Sequence, residues 1–252
     1  MNTIQFEQVH KTYGHIKAND GLSFAVNPGF VFGILGPNGS GKTTAINLII
    51  GLIKPSAGKI KVKGFDPIKN FKQVRKIIGL VPQETALYPE LSAVENLRFY
   101  AALFMVKGKV REKISQVLDL VDLTHRKKDP VKTYSGGMKR RLAIGRALLH
   151  DPGIILLDEP TLGVDVQGSH KIWEYIRRLA SENKTILVTT NVMSEADYLC
   201  DEVLIIDHGK KIVQGTPDEL KKAIPREKPR QEVLLPSLDD VFLYYTGHSL
   251  RD

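Results

Sequence analysis

The sequence predicts an α/β fold with a mixed, largely parallel sheet, an inserted helical subdomain and an antiparallel β region near the N-terminus. Short apolar runs alternate with helical stretches over residues 30–83 and 151–214, a pattern typical of parallel strands covered by helices. Helical periodicity replaces this alternation between residues 84 and 150. Residues 3–9 alternate apolar and polar side chains, and residues 21–26 form a second predicted strand.

Local patterns predict the other elements in chain order. A turn that presents an aromatic ring is expected at Lys11–Gly14, and a tight turn at Asn27–Gly29. Further strands are predicted over residues 30–35, 59–63, 77–81, 153–157, 185–189, 201–206 and 210–214, the last at a sheet edge. Helices are predicted over residues 44–51, 135–150 and 167–180.

Two capping boxes mark the starts of further helices. Ser92 is followed three residues later by Glu95, and Ser237 is followed by Asp240. The helix after Ser237 comes after a basic linker over residues 225–230. We expect its apolar face to contain Leu238, Val241, Phe242 and Tyr245.

The composition predicts a globular protein of a reducing compartment. The 252 residues suffice for one large domain or for a core domain with an inserted subdomain, and 42% of them are hydrophobic. Cys200 is the one cysteine, so no intrachain disulfide forms, and we expect its thiol to be buried. We find no signal peptide and no continuously apolar window of about twenty residues, so we do not expect the chain to span a membrane.

The formal net charge of +8 leaves two interpretations open. A basic surface can meet nucleic acid or the anionic inner leaflet of a membrane. The positive side chains are spread, however, over separate segments of the sequence. We therefore favour solvated loops and helix faces, and we expect no nucleic-acid partner.

A glycine-rich stretch after a predicted strand matches the phosphate-binding pattern G-x-x-x-x-G-K-[ST]. Its glycines let successive N–H groups turn toward a phosphate, and the following helix adds its positive N-terminal dipole. Lys42 can reach the β- and γ-phosphates of ATP, and the Thr43 hydroxyl can ligate Mg²⁺. The core is therefore predicted to be a P-loop NTPase, with nucleotide-binding residues Gly36, Pro37, Asn38, Gly39, Ser40, Gly41, Lys42, Thr43 and Thr44.

Two further motifs point to phosphate chemistry. Four apolar residues precede Asp158 and Glu159, which places both carboxylates at the end of a strand where ligands bind in such sheets. One can hold Mg²⁺, and the other can activate the water that attacks the γ-phosphate. Ser135, with Gly136 and Gly137, forms a second helix N-terminus able to bind a phosphate. One chain thus has two phosphate-binding devices.

These motifs resemble the ATP-binding subunits of ABC (ATP-binding cassette) transporters of the drug-resistance and polysaccharide-export (ABC-2) type. The similarity runs through essentially the whole chain, and the phosphate loop, Gln83, the Ser-Gly-Gly motif and the carboxylate pair follow the family's order. In that family, two subunits pair head to tail, and each ATP lies between one phosphate loop and the partner's Ser-Gly-Gly. The resemblance therefore accounts for the two devices, with Ser135, Gly136 and Gly137 contacting nucleotide in the partner.

The resemblance also implies a role for each remaining site residue. Tyr13 would stack on adenine, and Gln83 would touch Mg²⁺ and couple to the membrane partner. Asp158 would support Mg²⁺, and Glu159 would be the general base. Asp165 would lie in the loop that joins the two sites.

Three features depart from the family's pattern. The usual Leu-Ser-Gly-Gly-Gln is Tyr134–Met138 here, which keeps the phosphate-facing part. Relatives usually have a longer C-terminal region before the ending Pro236–Leu243, which this chain shortens to a linker. The switch histidine expected after the strand that ends at Thr190 is Asn191, so the catalytic contribution of this position stays open.

The sequence patterns predict a division into three parts. Residues 1–83 and 151–223 are assigned to an ATP-binding core with its N-terminal β region. Residues 84–150 are assigned to a helical signature subdomain, and residues 224–252 to a linker and a C-terminal helix.

The implied function is that of an ATPase, with ATP and Mg²⁺, on the cytoplasmic face of the cell membrane. Its expected partners are a transmembrane permease and a second copy of itself or a paralogous subunit, and an exporter is favoured. One alternative is a soluble ABC-type ATPase that clamps a ribosome or nucleic acid, and another, left open by Asn191, is a regulator without turnover. A single cassette without a heptad run favours the transporter subunit. We expect the contacts with the cargo to lie in the permease partner.

Overall fold

The computed structural model describes residues 2–224 and 237–246, which fold around two sheets. The strands are β1 (Ile4–Tyr13), β2 (Ile16–Val26), β3 (Val31–Leu35), β4 (Ala57–Val62), β5 (Ile78–Val81), β6 (Ile154–Asp158), β7 (Thr185–Thr190), β8 (Glu202–Asp207) and β9 (Lys210–Gly215). The helices are α1 (Lys42–Ile49), α2 (Phe71–Ile77), α3 (Ala93–Leu103), α4 (Val110–Leu120), α5 (Gly136–Leu148), α6 (Val166–Ser181), α7 (Met193–Leu199), α8 (Pro217–Ala223) and α9 (Leu238–Thr246).

The larger sheet has six strands in the order β5-β6-β7-β3-β8-β9. All neighbours pair in parallel except β9, which pairs antiparallel with β8 at one edge. The central β3 is buried on both faces, since Phe32 and Ile34 lie in one apolar cluster and Val31 and Leu35 in another. The predicted mixed, largely parallel sheet is confirmed, as is its edge strand.

The smaller sheet is antiparallel, with the order β2-β1-β4, and packs against one face of the larger sheet. Three aromatic rings stack across this contact, with centroids 4.4 Å apart for Phe6 and Phe24 and 5.5 Å apart for Phe24 and Phe32. The antiparallel β region predicted near the N-terminus is therefore confirmed.

Helices α3, α4 and α5 pack around an apolar cluster of their own. Helices α4 and α5 come close because Gly145 lacks a side chain; a Cβ there would lie 2.7 Å from Val117 Cγ1. Helix α3 begins at the predicted capping box, in which Ser92 Oγ accepts from Glu95 N and Glu95 Oε2 accepts from Ser92 N. The assignment of residues 84–150 to a separate subdomain remains a prediction.

The prediction of a turn at Lys11–Gly14 is wrong in its first three residues. Strand β1 continues to Tyr13, which pairs with Ile16, so the turn contains Gly14 and His15. Register shifts along β1 keep the strand paired beyond the point where strict apolar–polar alternation ends.

Three helices were not predicted, and each is only seven residues long: α2, α7 and α8. Two helical turns are too short for periodicity to separate a helix from a loop. Helix α8 does carry a local signal, because Thr216 and Glu219 form a capping box and Pro217 takes the first helical position.

Helix α9 begins at the capping box predicted for Ser237 and Asp240. Leu238, Val241 and Phe242 are buried as expected, whereas Tyr245 is 39% exposed and does not belong to the buried face. The linker predicted over residues 225–230 lies outside the described residues. Within the part of the chain that the structure describes, no helix has both the length and the apolar character needed to cross a bilayer.

Candidate functional site

Parallel pairing gathers the ends of four strands at one edge of the larger sheet. Leu35 at the end of β3 lies opposite Thr190 at the end of β7, and Asp158 at the end of β6 lies opposite Thr189. Because ligands bind at the carboxyl ends of such strands, the segments that follow them form the candidate site. They carry the phosphate loop after β3, Gln83 after β5, Glu159 after β6 and Asn191 after β7.

The phosphate loop makes close backbone contacts that only glycine permits. Gly41 has φ +104°, and a Cβ there would lie 2.1 Å from Ala18 O. Helix α1 starts at Lys42 without a side-chain cap, so its first N–H groups lack partners within the helix. The Ser40 hydroxyl is buried and has no hydrogen-bond partner among the described residues. A cradle with unpartnered donors at a helix N-terminus fits a phosphate group.

Lys42 places a buried positive charge in this cradle. Its side chain is 4% exposed, and Nζ donates to Gly36 O at 2.8 Å and to Pro37 O at 3.1 Å. Burial lowers the pKa of Lys42, and the charge of Glu159, whose Oε1 lies 3.5 Å from Nζ, opposes that effect. The ammonium group therefore lies between the phosphate loop and the carboxylate pair.

Asp158 and Thr43 supply oxygen atoms beside the loop. Thr43 Oγ1 donates to Asp158 Oδ1 at 3.4 Å, and Thr189 Oγ1 donates to the same oxygen. Mg²⁺ prefers oxygen ligands and usually combines one or two carboxylates with phosphate oxygens and water. A hydroxyl and a single carboxylate next to a phosphate cradle fit that donor set.

Glu159 lies between Lys42 and Gln83. Gln83 Nε2 donates to Glu159 Oε2 at 3.1 Å, so the two carboxylate oxygens face different partners. The Glu159 backbone has φ +48°, and its N–H donates to Thr189 O at 2.9 Å. The structure thus brings together four residues predicted from three separate segments: Lys42, Gln83, and the pair Asp158 and Glu159.

The second predicted phosphate-binding motif lies at the N-terminus of α5. Ser135 caps this helix by accepting from Met138 N, as predicted. A Cβ on Gly136 would lie 3.0 Å from Gly163 O, so the motif packs against the loop that carries Asp165. Asp165 caps α6 by accepting from Gly168 N at 2.6 Å. Within the described residues, no hydrogen bond joins residues 135–137 to the phosphate loop of the same chain.

Tyr13 and Asn191 lie at the borders of the candidate site. Tyr13 is 47% exposed and lies on the β1–β2 hairpin, whose second strand contacts the phosphate loop through Asn19 Nδ2 and Gly41 O at 3.2 Å. Asn191 is half-buried and directly follows Thr190, the residue opposite the last residue of β3.

Sequence reasoning missed two buried ionisable side chains behind the site. Arg140 is 3% exposed and donates to backbone carbonyls on both sides of Glu159. Glu195 is 0% exposed, and its Oε1 accepts from Thr161 Oγ1 and Trp173 Nε1, both at 2.9 Å. Arg140 belongs to a basic run that is typical of a solvated helix face, so the sequence offered no signal that it is buried.

Comparison with known proteins places these features in one family. The model of the ABC transporter family matches residues 19–162. The chain is 42% identical over 218 residues to the linearmycin resistance ATP-binding protein LnrL of Bacillus subtilis, which covers 86% of this chain and 70% of that protein. It is 41% identical to the Nod factor export ATP-binding protein I of Ralstonia nicotianae, over 86% of this chain and 68% of that protein.

Solved structures share the fold. The cbiO1 protein of Clostridium perfringens, part of the ABC transporter complex cbiONQ, has a TM-score of 0.81 and 28% identity, over 88% of this chain and 91% of that chain. A dimeric ATP-binding cassette in a post-hydrolysis state, bound to ADP and Pi, has a TM-score of 0.76 and 28% identity, over 84% of this chain and 98% of that chain.

Replacement of Glu195 by glutamine is expected to change the pH dependence of stability. Burial raises the pKa of Glu195 above its ordinary value of 4.5, so the unfolded chain loses this proton at lower pH than the folded protein. The wild type therefore loses stability relative to Glu195→Gln as the pH rises from 4.5, the ordinary pKa, through the higher pKa of Glu195 in the folded protein. We expect the melting temperature of the variant minus that of the wild type to increase as the pH is raised above 4.5.

Thermal unfolding followed by circular dichroism measures this difference. Glu174→Gln is the matched control, because Glu174 is exposed on α6, the helix that carries Trp173. A difference that stays constant or decreases with pH in Glu195→Gln would contradict the prediction.

Proposed function

Because the chain belongs to the ABC transporter family, as an ATP-binding subunit with ATPase activity, we propose that it forms one half of a head-to-tail dimer that drives a separate membrane permease. The observation that carries the proposal is the presence in one chain of two helix N-termini that follow glycine-containing motifs and suit a phosphate, those of α1 and α5. In the proposed dimer, each ATP lies between α1 of one subunit and the N-terminus of α5 of the other. The dimeric cassette bound to ADP and Pi supports a dimer of such subunits.

We further propose that the transporter is an exporter and that this subunit acts at the cytoplasmic face of the membrane. The names of two similar proteins, one for linearmycin resistance and one for Nod factor export, support outward transport. A permease partner is supported by cbiO1, which is part of a transporter complex.

In the proposed mechanism, residues from several segments of the site hold ATP. The adenine ring stacks on the exposed Tyr13, and Lys42 neutralises charge on the β- and γ-phosphates. Thr43 and Asp158 would hold Mg²⁺, which would supply positive charge beside the β- and γ-phosphates. Asn191 donates its amide N–H to the γ-phosphate from the end of β7.

Glu159 takes a proton from the attacking water in this mechanism. Its Oε1 lies 3.5 Å from Lys42 Nζ, so a γ-phosphate bound at Lys42 lies beside the carboxylate. The Gln83 amide donates to the other carboxylate oxygen and thereby limits its rotation. Because Gln83 also begins the segment that leads to α3, a movement of that segment changes the position of the base.

An exposed aromatic surface at α3 is the proposed docking site of a permease segment. We call it the α3 aromatic surface, and its members are Tyr88, Phe99, Leu103, Phe104 and Met105, all exposed. The rings of Tyr88 and Phe99 are in edge contact, with centroids 4.9 Å apart. Tyr100 joins this surface to the segment after Gln83, because its hydroxyl donates to Ala86 O at 2.5 Å. A permease loop bound there can therefore act on Gln83 and Glu159.

Complementation between inactive subunits tests the head-to-tail dimer. Lys42→Ala removes the charge of the phosphate loop, and Ser135→Arg blocks the α5 N-terminus. Each homodimer is expected to be inactive. In a mixed dimer both defects fall in one site and the other site is intact, so ATPase activity should return, to about half of the wild-type rate if the sites act independently.

The measurement is the steady-state ATPase rate of each variant and of the mixture, with mixed dimers demonstrated by differently tagged subunits. Mixing Lys42→Ala with Lys42→Ala of the other tag is the matched control. Absence of activity in demonstrated mixed dimers would refute the head-to-tail arrangement.

Affinity purification from detergent-solubilised membranes tests the docking surface. Phe99→Asp replaces a side chain that is 44% exposed with a charged one. We expect the variant to lose the membrane protein that co-purifies with the wild type and to keep its ATPase activity. Phe65→Asp is the matched control, because this ring is 40% exposed but lies beside β4. Ribosomal proteins and RNA in place of a membrane protein would favour the soluble clamp instead.

Substitution of Asn191 by histidine is expected to accelerate hydrolysis. A protonated histidine forms a charge-assisted hydrogen bond to the γ-phosphate, which is roughly twice as strong as the neutral bond of asparagine. A gain of about 1–2 kcal/mol in the transition state corresponds to a roughly five- to thirty-fold faster step. The check is the ATPase rate of both proteins at saturating MgATP, with dimerisation measured in parallel. An unchanged or lower rate in Asn191→His would show that the asparagine does not limit turnover.

A further inference from the structure

Arg140 is a buried cation surrounded by backbone oxygens from three segments of the site. It lies on α5, its side chain is 3% exposed, and its guanidinium donates to four carbonyl oxygens. Burial lowers the pKa of Arg140 to about 10, so it stays charged at neutral pH. The acceptors are Pro82 O (2.6 Å) and Gln83 O (3.1 Å) after β5, Asp158 O at the end of β6, and Pro160 O (2.9 Å) in the following loop.

These contacts enclose the backbone of Glu159. The Asp158 and Pro160 carbonyls stand on the two sides of Glu159 in the chain, and one guanidinium holds both. Glu159 itself has φ +48°, in the left-handed region that residues other than glycine seldom occupy. Such a conformation persists where neighbouring contacts hold it, and Arg140 supplies two of them. The direction of the Glu159 side chain therefore depends on Arg140.

Two other arginines of α5 show that this arrangement is specific to Arg140. Arg141 is also buried, but it donates to Val121 O and Asp122 O, which follow α4. Arg146 is buried as well and donates to Thr85 O and Ala86 O. All three are buried guanidinium groups bound to carbonyls, and only Arg140 contacts the residues next to Glu159.

We propose that Arg140 is a positioning residue that fixes Glu159 and the backbone of Gln83 relative to the N-terminus of α5. This inference rests on the proposed role of Glu159 as the general base. The planar guanidinium presents several N–H donors in a fixed fork, which allows one side chain to bridge three segments. Because Arg140 lies on the helix that Ser135 caps, the base of one ATP site is tied to the helix end that faces the other site in the proposed dimer.

A double-mutant cycle with Glu159 tests this inference. Arg140→Gln is expected to lower kcat about 10- to 100-fold, as misplacement of a catalytic group does, while the MgATP Kd changes less than about two-fold. If Arg140 acts through Glu159, its loss has no further effect once the carboxylate is gone. Arg140→Gln/Glu159→Gln should then hydrolyse ATP within about two-fold of the rate of Glu159→Gln alone.

Arg141→Gln is the matched control and should keep the kcat of the wild type. Adding Glu159→Gln to Arg141→Gln should lower kcat as much as it does in the wild type. If Arg140→Gln does not fold, Arg140→Lys serves in the same cycle, because lysine keeps the charge but cannot bridge the carbonyls. If the two reductions in kcat multiply in the double variant, this inference is refuted while the proposed function stands. A general structural defect would act independently of the loss of the base and would give that result. A wild-type rate in Glu159→Gln would refute the base assignment in the proposed function, and this inference with it.

Discussion

The parallel pairing of β3, β6 and β7 is the constraint on which the site depends. Strands in this arrangement end at the same edge, so the loops after them meet whatever their distance in sequence. The register sets how they meet, because Leu35 lies opposite Thr190 and Asp158 opposite Thr189. A slip by one residue would turn the Asp158 carboxylate to the opposite face of the sheet, away from Thr43. The apolar clusters on both faces of the sheet oppose such a slip.

This edge holds charges that a protein interior normally excludes. Lys42, Asp158, Glu159 and Arg140 are all buried, and burial of an ion is unfavourable unless partners compensate. The structure compensates them in different ways: a carbonyl cradle for Lys42, hydroxyl donors for Asp158 and backbone oxygens for Arg140. Each compensating group also fixes a direction in space. The result is a set of oriented charges around the candidate ATP site, and electrostatic preorganisation of this kind lowers a reaction barrier.

What the sequence predicts well depends on how far apart the interacting groups lie along the chain. The phosphate loop and the capping boxes at Ser92 and Ser237 are local, since donor and acceptor are a few residues apart. The order of strands and helices also follows from local patterns, so the fold class could be predicted. Arg140 could not be recognised, because its acceptor Pro82 O lies 58 positions away and its basic neighbours suggest a solvated surface. The same holds for Glu195, whose burial depends on α6 packing against α7.

The contact between Trp173 and Glu195 gives the molecule an optical reporter of its own. Trp173 is the one tryptophan of the chain, so intrinsic emission from an indole arises at a single place. Its ring lies 4.7 Å from that of His170 on α6 and 5.3 Å from that of Tyr198 on α7, and its N–H donates to Glu195. The fluorophore therefore lies on α6, the helix that begins after Asp165, and contacts α7, the helix that begins shortly after Asn191. A shift of either helix changes the polarity and the hydrogen bond around the indole, so fluorescence can follow the motion of both candidate nucleotide contacts without an attached label.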